Sequence, residues 1–129
     1  EANSYVLAEL NPSIAADATI DAASTVDSRV TIQKGAKIIN SVVRGPTIIG
    51  ENAVIENSYI GPFTSVYNDV VVTDCEIERS ILLEGSRVKD IDMMLRDSLI
   101  GRNASVKSNK EIKPRGVVMN VADNSTLWI

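Results

Sequence analysis

The sequence contains no histidine. That removes the one side chain whose ordinary pKa lies near neutrality, a common general base and a frequent zinc ligand. It contains a single cysteine, Cys75, so no internal disulfide can form, which fits a reducing cytoplasm. Aromatic residues make up only 4% of the chain, which suits an interior too narrow for rings. Basic residues do not dominate: 13 Lys and Arg against 17 Asp and Glu leave a net charge of −4. No basic field invites nucleic acid or an anionic membrane. No apolar run approaches the length of a membrane span, and no signal peptide is visible. The glycines are scattered singly rather than gathered into a phosphate-cradling loop. Acidic residues such as Glu51, Glu56 and Glu78 show no spacing that suggests a paired carboxylate site. We therefore expect no catalytic, cofactor-binding or metal-binding residue, and no cofactor, in this chain.

What the chain has is a repeat. From Ile38 to Val72 it runs Ser41-x-Val43, Thr47-x-Ile49, Ala53-x-Ile55, Ser58-x-Ile60, Thr64-x-Val66 and Val70-x-Val72. In most of these pairs a small residue stands two before an aliphatic. Starting from Ile38, the aliphatics are 5, 6, 6, 5, 6 and 6 residues apart, two blocks of 17. A helix needs a period near 3.6, and a simple strand does not alternate for so long. Five- or six-residue steps taken three to a turn are the signature of a parallel β-helix built from hexapeptides. In each short strand the two inward residues lie two apart and share a face. The rule extends upstream to Ala18-x-Ile20 and downstream to Ala104-x-Val106, with Met93 before Leu95 and Lys110 before Ile112 as the breaks.

Three columns of aliphatics follow. Ile20, Ile38, Ile55, Val72, Val88 and Val106 form the first, and Val26, Val43, Ile60, Ile77, Leu95 and Ile112 the second. Ile14, Ile32, Ile49, Val66, Leu82 and Ile100 form the third. The five-residue steps place Asn40, Asn57, Asp74, Arg79 and Asp97 at tight corners. Asn and Asp suit left-handed backbone angles there. Asn40, Asn57 and Asp74 recur at 17 and are expected to stack as a ladder up one edge. Cys75 takes a small inward position and is expected to be a buried thiol rather than a nucleophile, since no base accompanies it. The seven-residue step from Val88 to Leu95 predicts a bulged corner that leaves Ile91 and Met93 or Met94 partly exposed. Residues 1–11 read as the end of a linker helix, 13–112 as the β-helix and 113–129 as capping strands around Asp123-Asn124-Ser125, with Trp128 as a lid. A start at Glu1 without methionine points to a fragment of a longer protein.

The residues flanking each aliphatic point outward. In the first two columns they include many charges. In the third they include Thr31, Gln33, Ile48, Gly50, Ser65, Tyr67, Ile81, Leu83, Leu99 and Gly101, with no charge among them. A charge-depleted apolar surface usually marks a contact. Ile48, Tyr67, Ile81, Leu83 and Leu99 are the candidate interface, packing against another subunit or the catalytic domain of the same protein; the alternative is that the C-terminal tail folds back and covers this face.

The stretches SVVRGPTIIGENAVIENSYIGPFTSV, EIERSILLEGSRV and DSLIGRNASV resemble the C-terminal left-handed β-helix of long-form glucose-1-phosphate thymidylyltransferases. Glu1-Ala2-Asn3 is similar to the opening of that family's linker helix. Ala122-Asp123-Asn124-Ser125 is similar to its closing segment, with alanine for a family glycine. The resemblance implies the handedness, since parallel crossovers are otherwise right-handed. It implies a parent that joins glucose 1-phosphate to dTTP with Mg²⁺ in an N-terminal catalytic domain, whose motifs are not in this sequence. The implied partners are that domain and further copies of the chain, in a cytoplasmic homo-oligomer. Alternative readings are the same domain in an enzyme for another sugar or nucleotide, a hexapeptide acyltransferase-type domain, or a purely structural module. The missing histidine weighs against the acyltransferase, and also against the tri-histidine zinc site of β-helical carbonic anhydrases.

Overall fold

The computed structural model describes residues 12–108 and the backbone of the strand Val117–Met119. It is a left-handed β-helix of about five turns. Three parallel sheets wall a narrow prism, and each turn contributes one short strand to each wall. The first sheet stacks Thr19–Ile20, Lys37–Ile39, Val54–Glu56, Val71–Thr73, Arg87–Lys89 and Ser105–Ser108. The second stacks Thr25–Val26, Val42–Val43, Tyr59–Ile60, Glu76–Glu78 and Leu95–Arg96. The third stacks Val30–Ile32, Thr47–Ile49, Thr64–Val66, Ile81–Leu82 and Leu99–Ile100.

The register is the one the spacing demands. Ile20 pairs with Ile38, Ile38 with Ile55, Ile55 with Val72, Val72 with Val88 and Val88 with Val106. The second and third columns pair just as regularly, down to an isolated bridge between Ile14 and Ile32. Ile38, Ile55, Ile60, Ile77, Leu82 and Ile100 are all 0% exposed. Each contributes roughly 1.5–3 kcal/mol by leaving water, before the entropy of ordering is subtracted. Ile14 is 54% exposed despite its inward place, because it stands at the first rung of its column. At the seven-residue step Ile91 packs against the core while Met93 is 54% exposed, as expected.

The corners carry hydrogen bonds of their own. At most of them a residue with positive φ turns its N–H along the rod onto a carbonyl of the preceding coil, while Gly35 and Asn40 donate instead to the Asp17 and Asp21 carboxylates. Asn57 donates to Ile39 O at 3.0 Å, Asp74 to Glu56 O at 3.1 Å and Asp90 to Thr73 O at 3.0 Å. The other two edges repeat this through Asn52, Asp69, Gly85 and Asn103, and through Phe63 and Arg79. Asn or Asp reaches these angles at modest strain. Glycine is needed at Gly35 and Gly85, where φ is +73° and +71° and the Asn52 and Asn103 amide oxygens of the next coil occupy the place of a Cβ.

The inward small residues form a second ladder. Ser41 N–H donates to Ser24 Oγ, Ser58 N–H to Ser41 Oγ and Cys75 N–H to Ser58 Oγ, at 3.0–3.1 Å. At the last rungs the strand Val117–Met119 pairs antiparallel with Ser105–Ser108 and so closes the first sheet. The expected helix over 1–11, the last rung at Ile112, the second capping strand and the Trp128 lid lie outside the described residues. Among the described residues no helix is long and apolar enough to cross a membrane.

Candidate functional site

The third sheet brings all five candidate residues onto one outer face. Ile48, Ser65, Ile81 and Leu99 are successive Cα partners in one row. Gly50, Tyr67 and Leu83 form a second row beside it, each amide bonding to the neighbouring coil at 2.7–2.9 Å. Tyr67 is 43% exposed, whereas Ile48, Ile81, Leu83 and Leu99 are half-buried. Ser65, between Ile48 and Ile81, is only 5% exposed. The surface is therefore low and closely fitted, and its two rows carry no charge.

The edges flanking this face differ in chemistry. Between the third and first sheets the corner residues are Gly35, Asn52, Asp69, Gly85 and Asn103, small or polar throughout. Between the second and third sheets stand the cis Gly45–Pro46 peptide, Pro62–Phe63, Arg79 and Asp97. Tyr59 reaches towards this edge, its ring lying over Gly61 where a Cβ would meet ring carbon Cε2 at 3.0 Å. Arg79 is clamped: Nη1 donates to Glu78 Oε1 at 2.8 Å and Nε to Asp97 Oδ1 at 3.0 Å. That pairing holds the Asp97 carboxyl below its ordinary pKa and raises the guanidinium further. The five-residue steps mark Arg79 and Asp97 as tight corners, and both have positive φ. Phe63 was missed, because a phenylalanine in a six-residue step signals no left-handed corner.

The third edge carries the predicted ladder. Asn40 Nδ2 donates to Asn57 Oδ1 at 2.7 Å, and Asp74 follows one coil on. A shallow open groove of about 470 Å³ runs along it, lined by residues including Ser41, Ser58, Tyr59, Cys75 and Glu76. Burial pushes the Cys75 thiol up to about 11, aided by nearby Asp90 and Asp74, so it stays protonated near neutrality. A protonated thiol without a base is no nucleophile. Among the described residues no three His, Cys, Asp or Glu side chains gather as metal ligands.

No family model matches the chain. Curated relatives do. It is 41% identical over 129 residues to a glucose-1-phosphate thymidylyltransferase of Streptomyces griseus, covering 100% of this chain and 35% of that protein. It is 42% identical over 106 residues to the same-named protein of Streptomyces antibioticus, covering 82% of this chain and 29% of that one. A low-salt glycan biosynthesis nucleotidyltransferase of Haloferax volcanii is 34% identical over 129 residues, covering 98% of this chain and 35% of the relative. The chain thus spans about a third of the length of these relatives, and in the thymidylyltransferases it matches the C-terminal region. Among solved structures, a putative acetyltransferase of Bacillus cereus covers 82% of this chain and 79% of its own at 10% identity and a TM-score of 0.37.

Proposed function

We propose that this chain, a homologue of the C-terminal region of glucose-1-phosphate thymidylyltransferases, is the assembly domain of an enzyme that makes dTDP-glucose from dTTP and glucose 1-phosphate. The observation that carries the reading is identity of 41% sustained across the whole chain. In this reading the nucleotide loop and the carboxylates for Mg²⁺ belong to an N-terminal catalytic domain, and the chain contributes no reacting group. Its role is to hold subunits together through the uncharged face of the third sheet, with Ile48, Tyr67, Ile81, Leu83 and Leu99 in the contact. An apolar, charge-free face on a chain with 23% charged residues supports that role. The Haloferax relative, a nucleotidyltransferase of low-salt glycan biosynthesis, favours a second reading in which the parent handles another sugar or nucleotide.

The test has two arms. The full-length parent should convert dTTP and glucose 1-phosphate to dTDP-glucose, and be tried against other sugar phosphates and nucleotides. The 129-residue chain alone should turn over neither dTTP nor acetyl-CoA. Ile81→Lys combined with Leu83→Glu should lower its mass in light scattering while its β-sheet circular dichroism persists. Turnover by the pure chain, or an unchanged mass in the double variant, overturns the corresponding part.

A further inference from the structure

We propose that the contact turns the edge between the second and third sheets, where Phe63 and Arg79 anchor a second copy of this chain. The inference rests on the assembly reading above and says where on the prism the contact is centred.

Area is the first argument. A face five strands high at about 4.8 Å spacing, and about four residues wide at about 3.3 Å each, covers roughly 300 Å². A stable interface buries about 800 Å² of accessible surface on each partner, well beyond that flat footprint even with the relief of half-buried side chains added. The flat face is too small by itself, so a contact built on it must wrap one of its two edges. The edge of Asn52, Asp69 and Asn103 offers exposed polar tips. The other offers Pro46, Pro62 and Phe63, all half-buried, beside Arg79. Aromatic and arginine side chains are the residues that most often dominate binding energy.

Backbone strain is the second argument, and it is independent. Of ten non-glycine residues with positive φ among the described residues, eight are Asn or Asp. The other two are Phe63 at +61° and Arg79 at +48°, successive corners on this one edge. A bulky side chain in that region is strained, and such strain gathers where a surface is used. Asn would relieve it and still make the corner, as it does at Asn40, Asn52, Asn57 and Asn103.

Charge selects the partner. A chain of net charge −4 repels its own copies except through a surface without excess charge. The face has no charged residue in its two rows, and beside it Arg79 lies between Glu78 and Asp97. Exposed Arg44 and Arg96 stand in the same column as Glu78. With Arg79 they nearly balance Glu78 and Asp97, so a second copy meets no patch of one sign beyond one residual guanidinium. The clamp also fixes the guanidinium in place before contact, so little side-chain freedom is lost on binding.

Phe63→Asn and Arg79→Asn are the test, made separately in the 129-residue chain. Each should melt at or above the wild-type temperature under dissociating dilution, because strain is relieved. Each should weaken self-association about tenfold or more in sedimentation equilibrium. A third measurement does not depend on those variants. A thiol placed by Arg44→Cys, an exposed position on the same edge outside the clamp, should be shielded from maleimide as protein concentration rises, whereas one placed by Asn103→Cys should not. If both Asn variants associate as wild type while Ile81→Lys with Leu83→Glu dissociates, the edge proposal is overturned and the assembly reading stands. If the face double variant also keeps its mass, both fall. Equal shielding at the two edges also overturns the proposal.

Discussion

The main-chain N–H of Cys75 donates to the hydroxyl of Ser58 at 3.1 Å, and the Cys75 thiol donates to the Thr73 carbonyl at 3.1 Å. Ser58 and Ser41 do the same one and two coils earlier, each hydroxyl accepting an amide and donating to the carbonyl two residues back. The only cysteine of the chain thus occupies a serine's place in a hydrogen-bonded ladder.

Cys75→Ser should therefore be tolerated, with a stability change within about 1 kcal/mol and in the favourable direction, since hydroxyls make better hydrogen bonds than thiols. Urea denaturation measures it. The wild-type thiol should resist a disulfide reagent in the native state and react fully once unfolded. Prompt stoichiometric labelling of native protein would contradict both its burial and its raised pKa.

Thr64 Oγ1 and Ser86 Oγ are buried without a hydrogen-bond partner. Ser86 stands in the inward column of Ala36, Ala53, Val70 and Ala104, where no carbonyl is offered to it. Ser86→Ala and Thr64→Val should each raise stability by about 1 kcal/mol, by removing an unpaired buried hydroxyl. The denaturation midpoint should rise at constant slope. A fall for either variant would mean that its hydroxyl is bonded in solution.

Stability should be flat between about pH 5 and 8, because no side chain there is a histidine. Below that range it should fall. Asp21 is held below its ordinary value of 3.8 by the Ser24 hydroxyl and the Asn40 amide, and Asp97 by Arg79. Burial raises Asp27, but the Gly45 and Arg29 amides and the Arg29 charge outweigh it. A carboxyl with a lowered folded pKa binds fewer protons when native. Its contribution is present above 3.8 and lost as pH falls through the folded value. Melting temperatures from pH 8 to 2 measure this, and Asp21→Asn should flatten the acid limb. A transition centred near pH 6.5 would contradict it.

The three aliphatic columns were legible because the wall spacing is rigid. A register slip of one residue would turn every buried Ile, Val and Leu outward. Every described pair obeys it. The Asn40 to Asp74 edge was legible for the same reason, since a short polar side chain every 17 residues has one use. Less was legible at the six-residue corners. There Gly35, Asn52, Asp69, Gly85 and Asn103 share positive φ, yet no shortened step drew attention to them. That the five candidate residues share one outer face was legible from the same spacing, but their half-burial was not. Exposure there depends on which side chain stands one coil away, as Ser65 between Ile48 and Ile81 shows. Arg79 was legible as a corner from its five-residue step, whereas Phe63, in a six-residue step, was not, because its backbone angle runs against its own preference.

The ladder of corner amides gives the molecule a natural unit of length. Asn40-Ser41 and Asn57-Ser58 sit at the same point of consecutive coils, joined by the Asn40–Asn57 and Ser41–Ser58 hydrogen bonds. Excising residues 41–57 would rejoin Asn40 to Ser58 and recreate the same dipeptide, leaving Ile38 to stack directly on Val72. The shortened rod should still fold, about 4.8 Å shorter, because each coil answers only to its neighbours. Removing one residue from the middle of a strand should not be tolerated in the same way. Lineages of such rods can thus change length only by whole turns, and each turn gained or lost would resize the face offered to a neighbouring subunit by one strand.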